Sequence, residues 1–187
     1  GEKLFKADRI FINTGATPFV PPVEGLTIGG AIHTSETIMN LEEYPESLVI
    51  IGSGFIGLEF AATYAQFGTK VTVVDVIDTF LPREDEDVAQ AVKEQLEALG
   101  VTFNLGVQLK AVHQEGGKAV VEATTGEGAP VALTTDAVLV ATGRRANVQG
   151  LDLDKASVEL TERGAIKVNE FLQTNVPHIF AMGDVNG

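Results

Sequence analysis

One stretch constrains the fold more than any other: Leu48-Val49-Ile50-Ile51-Gly52-Ser53-Gly54-Phe55-Ile56-Gly57, followed at once by Leu58-Glu59-Phe60-Ala61-Ala62. An apolar run of strand length ends in Gly-x-Gly-x-x-Gly, and a helix-forming run opens directly behind it. A second apolar run, Lys70-Val71-Thr72-Val73-Val74, closes on Asp75, eighteen positions beyond Gly57. Strand, glycine turn, helix, strand and acid in that order are the context a dinucleotide-binding turn requires. Gly52 permits the tight turn, Gly54 lets backbone approach a pyrophosphate, and Gly57 lets the helix press close to the sheet. Phosphates would meet the unpaired N–H groups at the positive end of the helix, and Asp75 would accept from the adenosine ribose.

The totals bound the alternatives. A chain of 187 residues with 44% hydrophobic content suffices for one sizeable core, or for one domain plus pieces of another. No apolar run approaches the roughly twenty residues of a membrane span, and the first residues do not resemble a signal peptide. The absence of cysteine removes disulfides and thiolate chemistry from this chain and fits a cytoplasmic location. A net charge of −13 argues against a nucleic-acid partner, because phosphate backbones demand clustered Lys and Arg. The acidic run Glu84-Asp85-Glu86-Asp87 reads as a helix start rather than a metal site. It opens an amphipathic segment with Val88, Ala91, Val92, Gln95, Leu96 and Leu99 at helical spacing.

Along the chain, Ile10-Phe11-Ile12 is a short strand, and Thr17-Pro18 through Gly25 reads as a stiff connection between domains. Thr34-Ser35-Glu36 offers a cap for a short helix through Leu41. The helix behind the glycine turn is expected to run to about Phe67, with Gly68 as its C-terminal cap. Val107 to Leu133 changes to short alternating strands with glycine turns, an antiparallel meander. Asp8 to Gly15 and Asp136 to Gly143 echo each other, each an acid, a short apolar strand and a closing Thr-Gly. The three histidines, His33, His113 and His178, are scattered and read as surface or satisfied side chains.

The glycine motif, both Thr-Gly turns, Leu81-Pro82-Arg83 and the closing Ile179-Phe180-Ala181-Met182-Gly183-Asp184 together resemble the pyridine nucleotide–disulfide oxidoreductases. Lipoamide dehydrogenase, glutathione reductase and mercuric reductase are of this kind. The resemblance covers nearly the entire chain, which looks like a central portion. It includes neither the FAD-binding glycine motif nor the Cys-x-x-x-x-Cys pair at the start of such enzymes, nor their C-terminal dimerisation domain. It implies an α/β architecture: a Rossmann-like three-layer nucleotide-binding domain with a parallel sheet, a helix on each face and an antiparallel β-meander. Flanking strands would belong to an FAD-binding domain. The expected division is 1–33 as FAD-domain remnant and linker, 34–150 as NAD(H)-binding domain, and 151–187 as the return to the FAD domain.

Residue roles implied by the resemblance follow position by position. Gly52, Gly54, Phe55, Ile56 and Gly57 would line the pyrophosphate of NAD, and Asp75 the adenosine ribose. Leu109 would face the adenine, Gly143 the nicotinamide end, and Glu59 would sit near the nicotinamide. Glu59 has an equally good reading as a carboxylate complementing the helix dipole. Asp184 would hold the ribitol of FAD, with Thr14 and Gly15 nearby; Asn13 departs from the alanine that relatives often carry. No residue here is assigned a catalytic role.

The parent would pass hydride from NADH to FAD and on to a disulfide or another acceptor, as a cytoplasmic homodimer without membrane or nucleic-acid partners. An NADH oxidase or a ferredoxin-reductase-type flavoenzyme without the redox disulfide would share every motif, and a non-catalytic NAD-sensing module is the alternative of another class. The choice of NAD(H) over NADP(H) rests on Asp75, with Asp78 behind it and Arg83 expected to lie away beyond the Pro82 turn. Alone, the chain is expected to be colourless and inactive, because it carries neither the flavin pyrophosphate motif nor a cysteine. It is expected to be a monomer or at most a weak dimer, because the dimerisation domain is not included and a charge of −13 adds self-repulsion. Sedimentation velocity at micromolar concentration should show a single monomer-sized species; a tight dimer would contradict this.

Overall fold

The computed structural model describes residues 3–187. In chain order the elements are β1 (Ile10–Ile12), β2 (Ala16–Pro18), β3 (Ile32–Thr34), a 3-10 turn at Ile38–Asn40, β4 (Ser47–Ile51), α1 (Phe55–Gln66), β5 (Lys70–Val74) and α2 (Glu86–Ala98). There follow β6 (Thr102–Asn104), β7 (Gln108–Glu115), β8 (Lys118–Thr124), β9 (Pro130–Thr135), β10 (Ala137–Val140), β11 (Arg144–Ala146), β12 (Ile179–Ala181) and a 3-10 turn at Gly183–Asn186. They form two compact units: Pro18–Gly143, and the residues up to Thr17 together with Arg144–Gly187.

The larger unit is built on a parallel sheet in the order β3-β10-β4-β5-β6. Its central strand, β4, is apolar at successive positions because both faces are covered. Leu48 and Ile50 join Val71, Val73 and Leu139 in a core with Leu58, Ala61 and Tyr64 of α1 and Leu96 of α2. Val49 and Ile51 point the other way, into a core with Val112, Val121 and Ala123 of the meander β7-β8-β9. Both helices therefore share one face, and the expectation of a helix on each face is corrected. The reason is chirality. The crossovers β4-α1-β5 and β5-α2-β6 step the same way across the sheet, so right-handed connections put both helices on one side. The return from β6 to β10 steps back, which sends the meander to the opposite side.

Local details follow sequence chemistry. α1 ends at Gln66, and Gly68 takes the left-handed conformation (φ +89°) that closes it. Asp85 is the N-cap residue of α2, with Glu86 and Asp87 in its first turn. The buried stripe of α2 is Ala89, Val92 and Leu96, while Val88 and Leu99 stay exposed, one step round from the face expected. The helix expected to run to Leu41 is only a 3-10 turn. Thr37 Oγ1 accepts from Thr34 N at 2.9 Å and keeps the segment tight, with Ile38 fully buried against α1. Pro18 onward clusters with this unit, and Val20, Val23 and Ile28 pack into the meander-side core.

In the smaller unit β1 and β12 pair in parallel, with Phe11 stacked on Phe180 at 5.1 Å. Val158, Ile166, Ile179, Ala181 and Val185 form its core. Among the described residues no helix is long and apolar enough to cross a membrane.

One carboxylate ties together the end of the sheet where β4 and β10 begin. Asp136 Oδ2 accepts from Ser47 N at 3.0 Å and Ser47 Oγ at 2.5 Å, and Oδ1 accepts from Lys118 Nζ at 2.6 Å. These bonds, the lysine first, hold its pKa below the usual carboxylate value. Because the folded-state pKa is depressed, the stabilisation is present above the unfolded value and lost as pH falls through the folded one. Asp136→Asn should lower the thermal midpoint by about 2–4 °C at neutral pH. The gap to the unmodified protein should close below about pH 4, which thermal unfolding across pH would show.

Candidate nucleotide-binding site

A cavity of about 940 Å³ opens within the larger unit at the carboxyl ends of its parallel strands, where open α/β sheets place their ligands. The glycine turn supplies Gly52, Gly54, Phe55 and Ile56 to its wall; the end of β5 supplies Asp75, Val76 and Ile77. The approach to β7 adds Val107, Gln108 and Leu109, the exit of β10 adds Ala141, Thr142 and Gly143, and Pro21, Val23 and Arg83 complete it.

The three glycines of the turn differ in what they do. Gly52 has φ +110°, and a Cβ on it would lie 2.5 Å from the Ala141 carbonyl oxygen. Gly57 is buried, off the cavity wall, and a Cβ there would lie 2.1 Å from the Gly52 carbonyl oxygen. Both are demanded by the protein's own packing. Gly54 is not: its φ of −75° suits any residue, and a Cβ would meet no protein atom within 4 Å. That Cβ would only take up free space beside the turn. Gly54 is also the N-cap residue of α1; its carbonyl accepts from Leu58 N at 3.0 Å, and no side chain caps the first turn. The N–H groups of that turn are left without intrahelical acceptors, and the dipole there favours an anion. A pyrophosphate fits this cradle.

Asp75 is the most heavily bonded side chain of the site. Its Oδ2 accepts from Ser53 N at 2.6 Å and from Ser53 Oγ at 2.7 Å, and its Oδ1 accepts from Ile77 N at 3.0 Å. The acid is thus tied to the glycine turn as well as facing the cavity. Val107 N donates to its carbonyl at 2.9 Å, which sets the wall carrying Leu109 against the end of β5.

Arg83 belongs to this wall too, and the expectation that Pro82 carries it away is corrected. Phe80 and Leu81 pack into the helix-side core, Phe80 edge-on to Phe103 at 5.2 Å, and Leu81 adopts φ +45°. This anchor and reversal bring the next residues back over the end of β5. Arg83 has no ion-pair partner among the described residues. The signal for its place on the wall lies in the connection that leaves the carboxyl end of a parallel strand, since such connections border the crevice.

Of the other residues singled out, Glu59 is exposed on α1 and absent from the cavity wall. Thr14, Gly15 and Asp184 lie in the smaller unit. There Met182 N donates to Ile12 O at 3.0 Å, so the turns after β1 and β12 begin side by side. Thr14 Oγ1 donates to Asn147 O at 2.7 Å, and the Asn13 side chain fills the space beside Gly183, 2.8 Å from where a Cβ would stand. His33 is buried in β3 with its pKa lowered by burial, while His113 and His178 are exposed. No group of three or more potential metal ligands occurs among the described residues.

The architecture is an α/β nucleotide-site fold of three layers: helices, parallel sheet and meander. The family model described as pyridine nucleotide-disulphide oxidoreductase matches residues 1–187, and the chain belongs to that family. It is 38% identical over 187 residues to the probable pyridine nucleotide-disulfide oxidoreductase RclA of Escherichia coli K12, covering all of this chain and 41% of that protein. The dihydrolipoyl dehydrogenase of Mycobacterium tuberculosis is also 38% identical over 187 residues, with 40% of its length covered. Among solved structures, the Cu(II) complex of the HOCl-induced flavoprotein disulfide reductase RclA superposes with a TM-score of 0.90 over 96% of this chain and 40% of that one. LpdA from Mycobacterium tuberculosis does so at 0.85 and 30% identity, over 97% of this chain and 38% of that one. The chain thus spans about 40% of the length of the relatives it matches.

The glycines give a sharp contrast. Gly57→Ala forces a Cβ into backbone and should lower the thermal midpoint by about 5–10 °C. Gly54→Ala should leave the midpoint within about 2 °C, because the added methyl meets only free space. Paired thermal melts of the two variants check this.

Proposed function

We propose that the Pro18–Gly143 unit binds NAD(H) and serves a flavoenzyme that passes hydride from NADH to FAD and on to a disulfide or another acceptor. The observation that carries the reading is the open glycine turn, with uncapped first-turn N–H groups on one side of the cavity and the Asp75 carboxylate on another. When bound, the nicotinamide supplies the hydride chemistry. This chain's residues supply placement. Gly52, Gly54 and the N–H groups of Phe55 and Ile56 hold the pyrophosphate, Asp75 accepts from the adenosine ribose, and Leu109 flanks the adenine. Gly143, at the exit of β10, borders the nicotinamide end.

FAD would be contacted by the smaller unit. Thr14-Gly15 and the exposed Asp184 follow neighbouring parallel strands, which suits a carboxylate that accepts from ribitol hydroxyls. A homodimeric parent is proposed on family membership alone, and the electron acceptor stays a disulfide or another group.

NAD(H) is the preferred nucleotide because a 2′-phosphate would displace a charge-assisted ribose bond and face the Asp75 carboxylate. Arg83 on the same wall offsets part of that repulsion without replacing the lost bond. Such a bond is worth about 1.5–3 kcal/mol, so NADH should bind at least about tenfold tighter than NADPH. Calorimetric titration of the chain with both nucleotides tests this, and Asp75→Ser combined with Val76→Arg should reverse the order. Tighter binding of NADPH by the unmodified chain would refute the assignment.

A further inference from the structure

We infer that Ser53 is a positioning residue for nucleotide recognition: its hydroxyl, buried beneath the glycine turn, sets the orientation of the Asp75 carboxylate that reads the ribose. The inference rests on the NAD(H) reading and goes beyond it. Ser53 is only 6% exposed and is not part of the cavity wall, so it touches no nucleotide directly. Both of its donors converge on one oxygen, Ser53 N at 2.6 Å and Ser53 Oγ at 2.7 Å from Asp75 Oδ2. An sp² oxygen has two lone pairs, and these two bonds use both. Oδ2 is thereby turned inward and satisfied. Oδ1, which takes only Ile77 N at 3.0 Å, retains the free acceptor direction for a ribose hydroxyl.

The carboxylate presents one oxygen to the ribose instead of two, in a fixed orientation reached before the nucleotide arrives, which lowers the ordering cost of binding. The serine therefore acts on affinity through Asp75 and on nothing else in the cavity. It differs in this from its glycine neighbours, whose backbone meets the pyrophosphate.

A double-mutant cycle separates this role from a general structural one. NADH affinity of the 187-residue chain is measured by calorimetry for the unmodified protein, Ser53→Ala, Asp75→Ala and the double variant, with thermal melts confirming that each is folded. Ser53→Ala should weaken NADH about fivefold when Asp75 is present and less than twofold when it is absent, and Ser53→Thr should restore most of the loss. An equal loss in both backgrounds, or no loss in either, would overturn the inference while leaving NAD(H) binding intact. Failure of the unmodified chain to bind NADH would overturn the proposed function and this inference together.

Discussion

In the larger unit the first turn of α1 lies hard against the turn that leaves β4. There the absence of a side chain on Gly57 admits the Gly52 carbonyl. Everything at the carboxyl end of the sheet depends on that contact. It fixes the angle at which α1 leaves the sheet, and so the direction in which its first N–H groups point. It also seats Leu58, Ala61 and Tyr64 on the strands beneath, where Tyr64 reaches the Ile38 carbonyl at 3.3 Å. The cavity is the space this arrangement leaves between the turn and the ends of β5 and β10.

The two ends of β4 use one chemical device for different ends. Ser47 opens the strand and gives both its N–H and its hydroxyl to Asp136; Ser53 follows the strand and does the same for Asp75. At the first end the carboxylate's remaining oxygen is taken by Lys118, and the result is a closed structural knot. At the second, Ile77 N supplies one bond, and among the described residues no lysine or arginine pairs with the acid. The two carboxylate knots differ by that one cation.

What the sequence made legible were the features fixed by short-range chemistry. The glycine spacing, the acid after β5, the start of α2, the glycine that closes α1 and the alternating meander are each written in residues near one another in the chain. The faces of the sheet were not, because they depend on strand order, and the place of β10 between β3 and β4 joins residues nearly a hundred positions apart. Arg83 escaped for a related reason. Proline signals a departure in the sequence, whereas Phe80 and Leu81, partly buried against the core, turn the chain back before Pro82. The bond between Ser53 and Asp75 was not legible either, since the two lie 22 positions apart and meet only once β4 and β5 are paired in register.

The larger unit begins and ends at one place. Phe19 N donates to Gly143 O at 2.9 Å, and Thr142 Oγ1 returns the gesture to Phe19 O at 2.8 Å. A segment whose two ends are stitched together can be spliced into a surface loop of another protein without stretching either host strand. The smaller unit is split in sequence into an early and a late piece, so the larger unit interrupts it as an inserted module would.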